Sequence, residues 1–156
     1  MEDPDKDFVC RTKEILDTVR TKHDVSLLVN CTFGLVIFPH TIVLERLRPV
    51  SRESWWSSSE FWSKNLKDQH DLPNFLKTAL GNNHFPKSIG EFLHKLRNGF
   101  VHQEFEPINN EGQLMGMKWT IIKKRDLHLE LKEEELRELL PFIANVYLRF
   151  LSEECN

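Results

Sequence analysis

Three polar side chains in one short segment, Arg97, Asn98 and His102, are of types that could cleave RNA. An imidazole can take or give a proton at neutral pH because its unperturbed pKa is about 6.5. A guanidinium is always charged, and its planar fork matches two phosphate oxygens. The amide could orient the imidazole or donate to phosphate. Together they suit attack of a 2′-hydroxyl on the neighbouring phosphorus, which would leave a 2′,3′-cyclic phosphate.

All three side chains fall on one predicted helix. The residues Ser88-Ile89-Gly90-Glu91 have the pattern of a capping box, which begins a helix. The apolar residues of this helix share one face: Ile89, Phe92, Leu93, Leu96 and Phe100. Asn98 and His102 are four positions apart, so their side chains lie one above the other. With Arg97 on the adjacent edge, the three are expected together at the helix end, off the apolar face.

The same spacing also fits a plainer interpretation, in which Arg97 and His102 are solvated residues that flank a core helix. No cluster of carboxylates lies near them in the sequence, so a metal-free reaction fits better than a metal-assisted one. The other histidines show no ligand spacing with acidic residues or cysteines: His23, His40, His70, His84, His94 and His128. We therefore expect neither a metal nor any other cofactor.

The first third of the chain predicts a long helix. Apolar residues recur at helical spacing from Asp7 to about Val36, which fits one helix, or two with a break near His23. Pro39 should end the helix, and a connection should follow from His40 to Ser54.

Further helices are indicated by their end signals. A second capping-box pattern at Ser57–Glu60 predicts a short helix. A helix over Asp71–Leu80 is predicted with Asp71 as its N-cap. The last helix should run from about Glu133 to Leu151, with a kink at Pro141. The fold class is therefore mainly α.

A small β element is predicted directly after the helix that carries Arg97. The turn signal Asn109-Asn110-Glu111-Gly112 separates Phe105–Ile108 from Met117–Ile122, which is typical of a hairpin. Alternation of Leu127, Leu129 and Leu131 with polar residues indicates a third short strand.

The net charge of -3 over 156 residues means that any nucleic-acid binding must use a local basic patch. Candidate residues for contact with an RNA backbone are Lys95, Lys118, Lys123, Lys124 and Arg125. Ordinary surface charge explains these residues equally well. Trp55, Trp56 and Trp62 could stack on bases, although a place in the core or in a dimer interface is the preferred interpretation.

Length, cysteine content and hydropathy favour a single cytoplasmic domain over residues 1–156. Three cysteines without a CxxC spacing indicate a reduced compartment and no disulfide framework. The N-terminus lacks the shape of a signal peptide. The longest apolar stretch, Val25 to Phe38, is shorter than the roughly 20 residues that span a bilayer, so no membrane association is expected.

Two motifs resemble those of a known superfamily. The segment Leu96-Arg97-Asn98-Gly99-Phe100-Val101-His102 resembles the R-(polar)-x-x-x-H motif of the HEPN superfamily, also on a late helix. The segment from Leu28 to Val36 is similar to the L-x-N-C-x-x-G-L stretch of a prokaryotic HEPN subfamily. The likeness covers nearly the whole chain.

The resemblance implies a bundle of four to five helices with a small β-hairpin inserted after the motif helix. It also implies a symmetric homodimer in which both copies of Arg97, Asn98 and His102 form one cleft. The implied activity is metal-independent cleavage of single-stranded or loop RNA by a toxin or phage-defence effector, restrained by an antitoxin or regulator protein. One departure is Glu104, which stands where HEPN toxins silenced by a nucleotidyltransferase carry a tyrosine, so that modification is not expected.

Three functions remain open from the sequence. The first is an RNA endonuclease that uses Arg97, Asn98 and His102. The second is a non-catalytic HEPN module that binds a nucleotide or RNA. The third is a helical dimerisation scaffold in which the motif only holds the interface.

Overall fold

A computed structural model describes residues 4–18, 24–49, 54–102, 104–120 and 128–154. Within these ranges it contains five α-helices: α1 Pro4–Thr18, α2 Asp24–Leu47, α3 Asn74–Ala79, α4 Ile89–Val101 and α5 Glu133–Glu154. Three β-strands are described: β1 Phe105–Asn110, β2 Gln113–Thr120 and β3 His128–Lys132. The mainly helical fold class is confirmed. The β part is a three-stranded antiparallel sheet rather than a hairpin alone.

The core of the bundle is built around α5. This helix packs against α1, α2 and β3, and the apolar side that its sequence predicts is buried. Its buried residues include Leu136, Leu139, Leu140, Ile143, Tyr147 and Phe150. Pro141 lies inside α5, and the helix continues past it to Glu154.

The prediction that Pro39 ends the second helix is wrong. Pro39 lies inside α2, which continues to Leu47. The first part of the predicted connection, from His40 to Leu47, is therefore helical. A proline removes one backbone hydrogen bond from a helix. The turns that follow Pro39 bury His40 and Val43 against the rest of the bundle. Burial of the apolar Val43 side chain favours continuation of the helix past Pro39.

The length argument against a membrane span in the second helix also does not hold. The segment Val25–Leu47 is 23 residues long, and it is long and apolar enough to cross a membrane by length and composition alone. Half of its most apolar stretch is buried inside the protein. Its contacts with α1, α4 and α5 make it a central helix of the bundle.

Two of the predicted short elements also differ from the structure. The Ser57–Glu60 pattern begins no α-helix; a 3₁₀ helix spans Trp55–Ser58, and the hydroxyl of Ser59 only accepts from the Trp62 amide in the next turn. The predicted helix after Asp71 is reduced to α3. Asp71 does not cap it, because its carboxylate instead pairs with Arg149 of α5 at 3.1 Å.

The sheet lies beside α4 in the order β1-β2-β3. The predicted hairpin is confirmed, with Phe105 opposite Trp119 and Asn110 opposite Gln113. Its turn residues Glu111 and Gly112 both have positive φ angles. The predicted third strand is also confirmed within β3, which pairs with β2; Leu127 and the residues after Thr120 lie outside the described ranges.

Candidate functional site

The predicted start of the motif helix is confirmed in detail. The Ser88 hydroxyl accepts a hydrogen bond from the Glu91 amide at 3.1 Å, and a Glu91 carboxylate oxygen accepts from the Lys87 amide at 3.1 Å. The apolar face that the spacing predicts is buried throughout: Ile89, Phe92, Leu93, Leu96 and Phe100. The cap and the buried face together fix both the rotation and the position of α4.

The end of α4 is held tightly against the sheet. A Cβ built on Gly99 would lie 2.6 Å from Trp119 Nε1 and 2.9 Å from Phe105 Cε2. The next side chain, Phe100, stacks on Phe105 with ring centroids 4.0 Å apart. The glycine thus lets the helix backbone approach two aromatic rings within one turn of Arg97 and His102.

Arg97 and Asn98 are joined directly by their side chains. Arg97 Nη1 donates to Asn98 Oδ1 at 3.0 Å. The Asn98 amide nitrogen lies 3.0 Å from Nε2 of His94, one turn earlier on the same helix. All three side chains are half-buried. The amide therefore contacts Arg97 and His94, whereas the sequence assigned it to the His102 imidazole or to phosphate.

His94 connects this pair to the interior. Its Nδ1 lies 3.4 Å from Nε2 of His40 on α2 and 3.2 Å from Nε1 of Trp55. The ring of Trp56 packs on the same imidazole, with centroids 4.9 Å apart. His40 is only 2% exposed, so the chain of contacts runs from the core to Arg97.

Both inner histidines are held in the neutral form. Burial, reinforced by His94 and Arg97, lowers the pKa of His40 to about 3. Burial also lowers the pKa of His94, and the charges of Arg97 and Lys95 act in the same direction while Glu91 opposes them. Each imidazole therefore has one N–H donor and one acceptor nitrogen at neutral pH.

His102 lies apart from this network. It is the C-cap of α4, and its backbone N–H donates to the Asn98 carbonyl at 2.8 Å. Its imidazole is exposed, on the turn after the half-buried Arg97 and Asn98. The end of α4 thus carries an exposed histidine one turn after the guanidinium that Asn98 holds.

Of the basic residues proposed to contact RNA, the structure describes Lys95 and Lys118. Lys95 pairs with Glu91 at 2.7 Å. Lys118 lies on β2 between Glu106 and Glu130, its register partners on the neighbouring strands. Because side chains alternate along a strand, Lys118 faces away from the side on which Trp119 meets α4. The remaining candidates, Lys123, Lys124 and Arg125, lie outside the described residues.

Trp55 and Trp62 are buried in the core, which confirms the preferred interpretation for them, and Trp56 is half-buried. Among the residues that the structure describes, no group of three or more His, Cys, Asp or Glu side chains could hold a metal ion.

The sequence missed two residues of the network, His94 and His40. His94 is four positions before Asn98 and eight before His102, so helical spacing alone places it on their face. His40 could not be found in this way, because it comes from a helix that was expected to end at Pro39.

Comparison with protein families supplies an independent finding. A family model described as HEPN pEK499 p136 matches residues 1–154. Comparisons with curated proteins and with solved structures give no significant match. The family model covers the bundle, the sheet and the motif helix, and the chain therefore belongs to the HEPN pEK499 p136 family.

Proposed function

We propose that this protein is a metal-independent endoribonuclease whose site consists of Arg97, Asn98 and His102. The observation that carries the proposal is the exposed His102 at the end of α4, one turn after the hydrogen-bonded Arg97–Asn98 pair. The family match supports it, because HEPN modules are often ribonucleases or nucleotide-binding modules. In this site His102 supplies proton transfer, and Arg97 supplies positive charge.

Each side chain has one role in the proposed reaction. His102 takes the proton of the attacking 2′-hydroxyl, or gives a proton to the departing 5′-oxygen. Arg97 stabilises the negative charge that grows on the non-bridging phosphate oxygens. Asn98 holds the guanidinium through its Oδ1. The products are a 2′,3′-cyclic phosphate and a 5′-hydroxyl.

A homodimer would supply the second proton-transfer group. With the motif helices next to a two-fold axis, one His102 acts as base and its copy as acid. Exposed apolar side chains at this helix end support such an interface. Val101 is 45% exposed, and Phe33 is 37% exposed and packs on Phe100 with centroids 4.4 Å apart. Apolar surface of this kind, rimmed by polar groups, is typical of protein interfaces.

Unpaired RNA is the proposed substrate, because proteins reach the bases and sugars of single strands and loops more readily than those of a duplex. A cytoplasmic role as a toxin or phage-defence effector, restrained by an antitoxin or regulator protein, is proposed on the family resemblance alone.

RNA cleavage in the presence of EDTA tests the activity. We expect the purified protein to cut a mixture of structured and unstructured RNAs, and Arg97→Ala and His102→Ala each to lower the rate by about 10²–10⁴-fold. Arg11→Ala and His70→Ala are matched controls, because both side chains are largely exposed and lie on other elements. Intact RNA, or equal cutting by all five proteins, would instead favour a binding module or a scaffold.

The dimer is tested by placing a charge at the proposed interface. We expect Val101→Glu to shift the protein from dimer to monomer in analytical ultracentrifugation and to lower RNA cleavage at least about tenfold, because like charges meet across a two-fold axis. The control is Ile15→Glu, which adds the same charge at a position 43% exposed on α1. A dimer that persists in Val101→Glu, or that dissociates equally in both variants, contradicts this interface.

A further inference from the structure

The contacts of Asn98 determine which way its amide group faces. Arg97 Nη1 can only donate, so the atom 3.0 Å from it is the amide oxygen. The amide nitrogen then faces His94 Nε2 at 3.0 Å. An amide nitrogen also only donates, so Nε2 must offer a lone pair. The Arg97–Asn98 hydrogen bond therefore requires a neutral His94 whose proton is on Nδ1.

The two contacts on the other side of the His94 ring differ: the contact with His40 fits this tautomer, and the contact with Trp55 opposes it. A proton on Nδ1 is donated to His40 Nε2, 3.4 Å away. His40 then carries its own proton on Nδ1, which is buried and has no hydrogen-bond partner among the described residues. Trp55 Nε1 can only donate, and it lies 3.2 Å from the same His94 nitrogen. Trp55 therefore favours the opposite tautomer, with the proton of His94 on Nε2.

The opposite tautomer changes the far end of the network. With a proton on Nε2, His94 can only donate to Asn98, so the amide must turn its oxygen towards His94. Its nitrogen would then face Arg97 Nη1, and the hydrogen bond between Asn98 and Arg97 would be lost. Protonation of both His94 nitrogens has the same consequence. The state of one imidazole thus decides whether Arg97 is held.

We propose that His94 is a positioning residue, whose unprotonated Nε2 holds the Asn98 amide so that Arg97 has a fixed orientation towards phosphate, and that protonation in acid releases Arg97. This inference rests on the proposed ribonuclease function. His94 acts through Asn98 and need not touch the RNA.

The charged groups around His94 favour its neutral form. From α4 it faces Arg97 and Lys95, and the carboxylate of Glu91, which opposes them, is paired with Lys95 at 2.7 Å. From α2 it faces His40, which is itself neutral. Trp55 and Trp56 cover the ring and carry no charge. A fixed guanidinium is useful in catalysis because displacement of about 1 Å can cost about 100-fold in rate.

Two variants separate positioning from a structural role. His94→Gln retains a non-titrating amide oxygen that can accept from Asn98. His94→Phe retains a ring but has no acceptor. We expect His94→Phe to lower kcat about 10- to 100-fold with a smaller change in KM, and His94→Gln to restore most of the loss. The acid limb of the rate profile should be less steep in His94→Gln than in the wild type, because one titrating group has been removed.

Nuclear magnetic resonance of the full chain without RNA tests the same inference independently of activity. At neutral pH the imidazole ¹⁵N shifts of His94 should show a protonated Nδ1 and an unprotonated Nε2. The side-chain amide signals of Asn98 should move with the titration of His94 in acid. A proton on His94 Nε2 at neutral pH would overturn the inference. So would Asn98 side-chain signals that do not change while His94 titrates.

The two measurements distinguish failure of this inference from failure of the proposed function. If the wild type cuts RNA and His94→Phe, folded by circular dichroism, cuts equally well, the positioning role is wrong while the ribonuclease stands. If no RNA is cut, the proposed function fails, and the tautomer of His94 together with the response of Asn98 decides the inference alone.

Discussion

Replacement of Gly99 by alanine is expected to lower the free energy of unfolding by about 2 kcal/mol or more, close to the upper range for overpacked cores. The added methyl group would lie 2.6 Å from Trp119 Nε1, 2.8 Å from Trp119 Cδ1 and 2.9 Å from Phe105 Cε2. Trp119 is buried against Phe85, Phe92 and Phe105, so its ring cannot move without displacing other aromatic side chains. The gain of about 1 kcal/mol in helix propensity is too small to compensate.

Gly34 in α2 provides the matched control. A Cβ at Gly34 would meet Phe8 Cζ at 3.5 Å, which is ordinary van der Waals contact. Gly34→Ala therefore keeps the propensity gain, and we expect it to raise the free energy of unfolding by about 0.5–1 kcal/mol. Urea unfolding of the two variants and the wild type measures both effects. Equal stability of Gly99→Ala and Gly34→Ala would contradict the close approach of α4 to the sheet.

The position of Gly99 also connects packing to the site. It follows Asn98 directly, and His102 begins the next turn. A helix end pushed away from Trp119 would carry His102 with it, while Arg97 and Asn98 remain tied to His94. Loss of RNA cleavage in Gly99→Ala should therefore exceed the loss of folded protein.

Local sequence signals correctly predicted the element that carries the site. The serine of a capping box and an apolar face of the right period are sufficient to define α4, because both depend on residues within a few turns of each other. The same is true of the hairpin, since Glu111 and Gly112 supply the positive φ angles of its turn. These signals also place Arg97 and Asn98 on α4 and His102 at its end, as the structure has them.

Long-range contacts explain the features that the sequence did not predict. A proline need not end a helix when the following turns pack against the rest of the protein. The turns after Pro39 bury His40 and Val43, and this burial depends on residues far along the chain. Asp71 has the chemistry of an N-cap, but Arg149 lies 3.1 Å away in the folded protein. The partners of His94 come from α2 and from the Trp55 segment, so the role of Asn98 in holding Arg97 could not be read from the motif.

Burial of His40 should make the protein lose stability in mild acid. His40 is neutral when folded, because its pKa is lowered to about 3, whereas the unfolded chain takes up a proton below about pH 6.5. The unfolded state therefore binds more protons between these values, and stability falls as the pH falls through this window. Above about pH 6.5 both states are neutral, and His40 contributes no pH dependence.

The size of this effect can be read where few other groups titrate. One proton bound only by the unfolded state corresponds to about 1.4 kcal/mol per pH unit. The range between about pH 6.5 and pH 5 lies above the usual pKa values of carboxylates. Over this range, His40 should lower the free energy of unfolding by about 2 kcal/mol. His94 changes stability in the same direction, because its pKa is also lowered.

Urea unfolding at several pH values between 5 and 7.5 (a range set by the ordinary histidine pKa of about 6.5) measures this loss. We expect His40→Leu to lower the slope by the contribution of one proton and to leave the contribution of His94, while His70→Gln, at a largely exposed position, keeps the full slope. Should His40→Leu fail to fold, the imidazole ¹⁵N shifts of the wild type give the answer directly, since His40 must remain neutral at pH 5. A slope equal in His40→Leu and wild type, or a charged His40 at pH 5, would show that the core tolerates the cation. In that case a charged His40 could not accept a hydrogen bond from His94. Protonation of either histidine, and not of His94 alone, would then release Arg97 in acid.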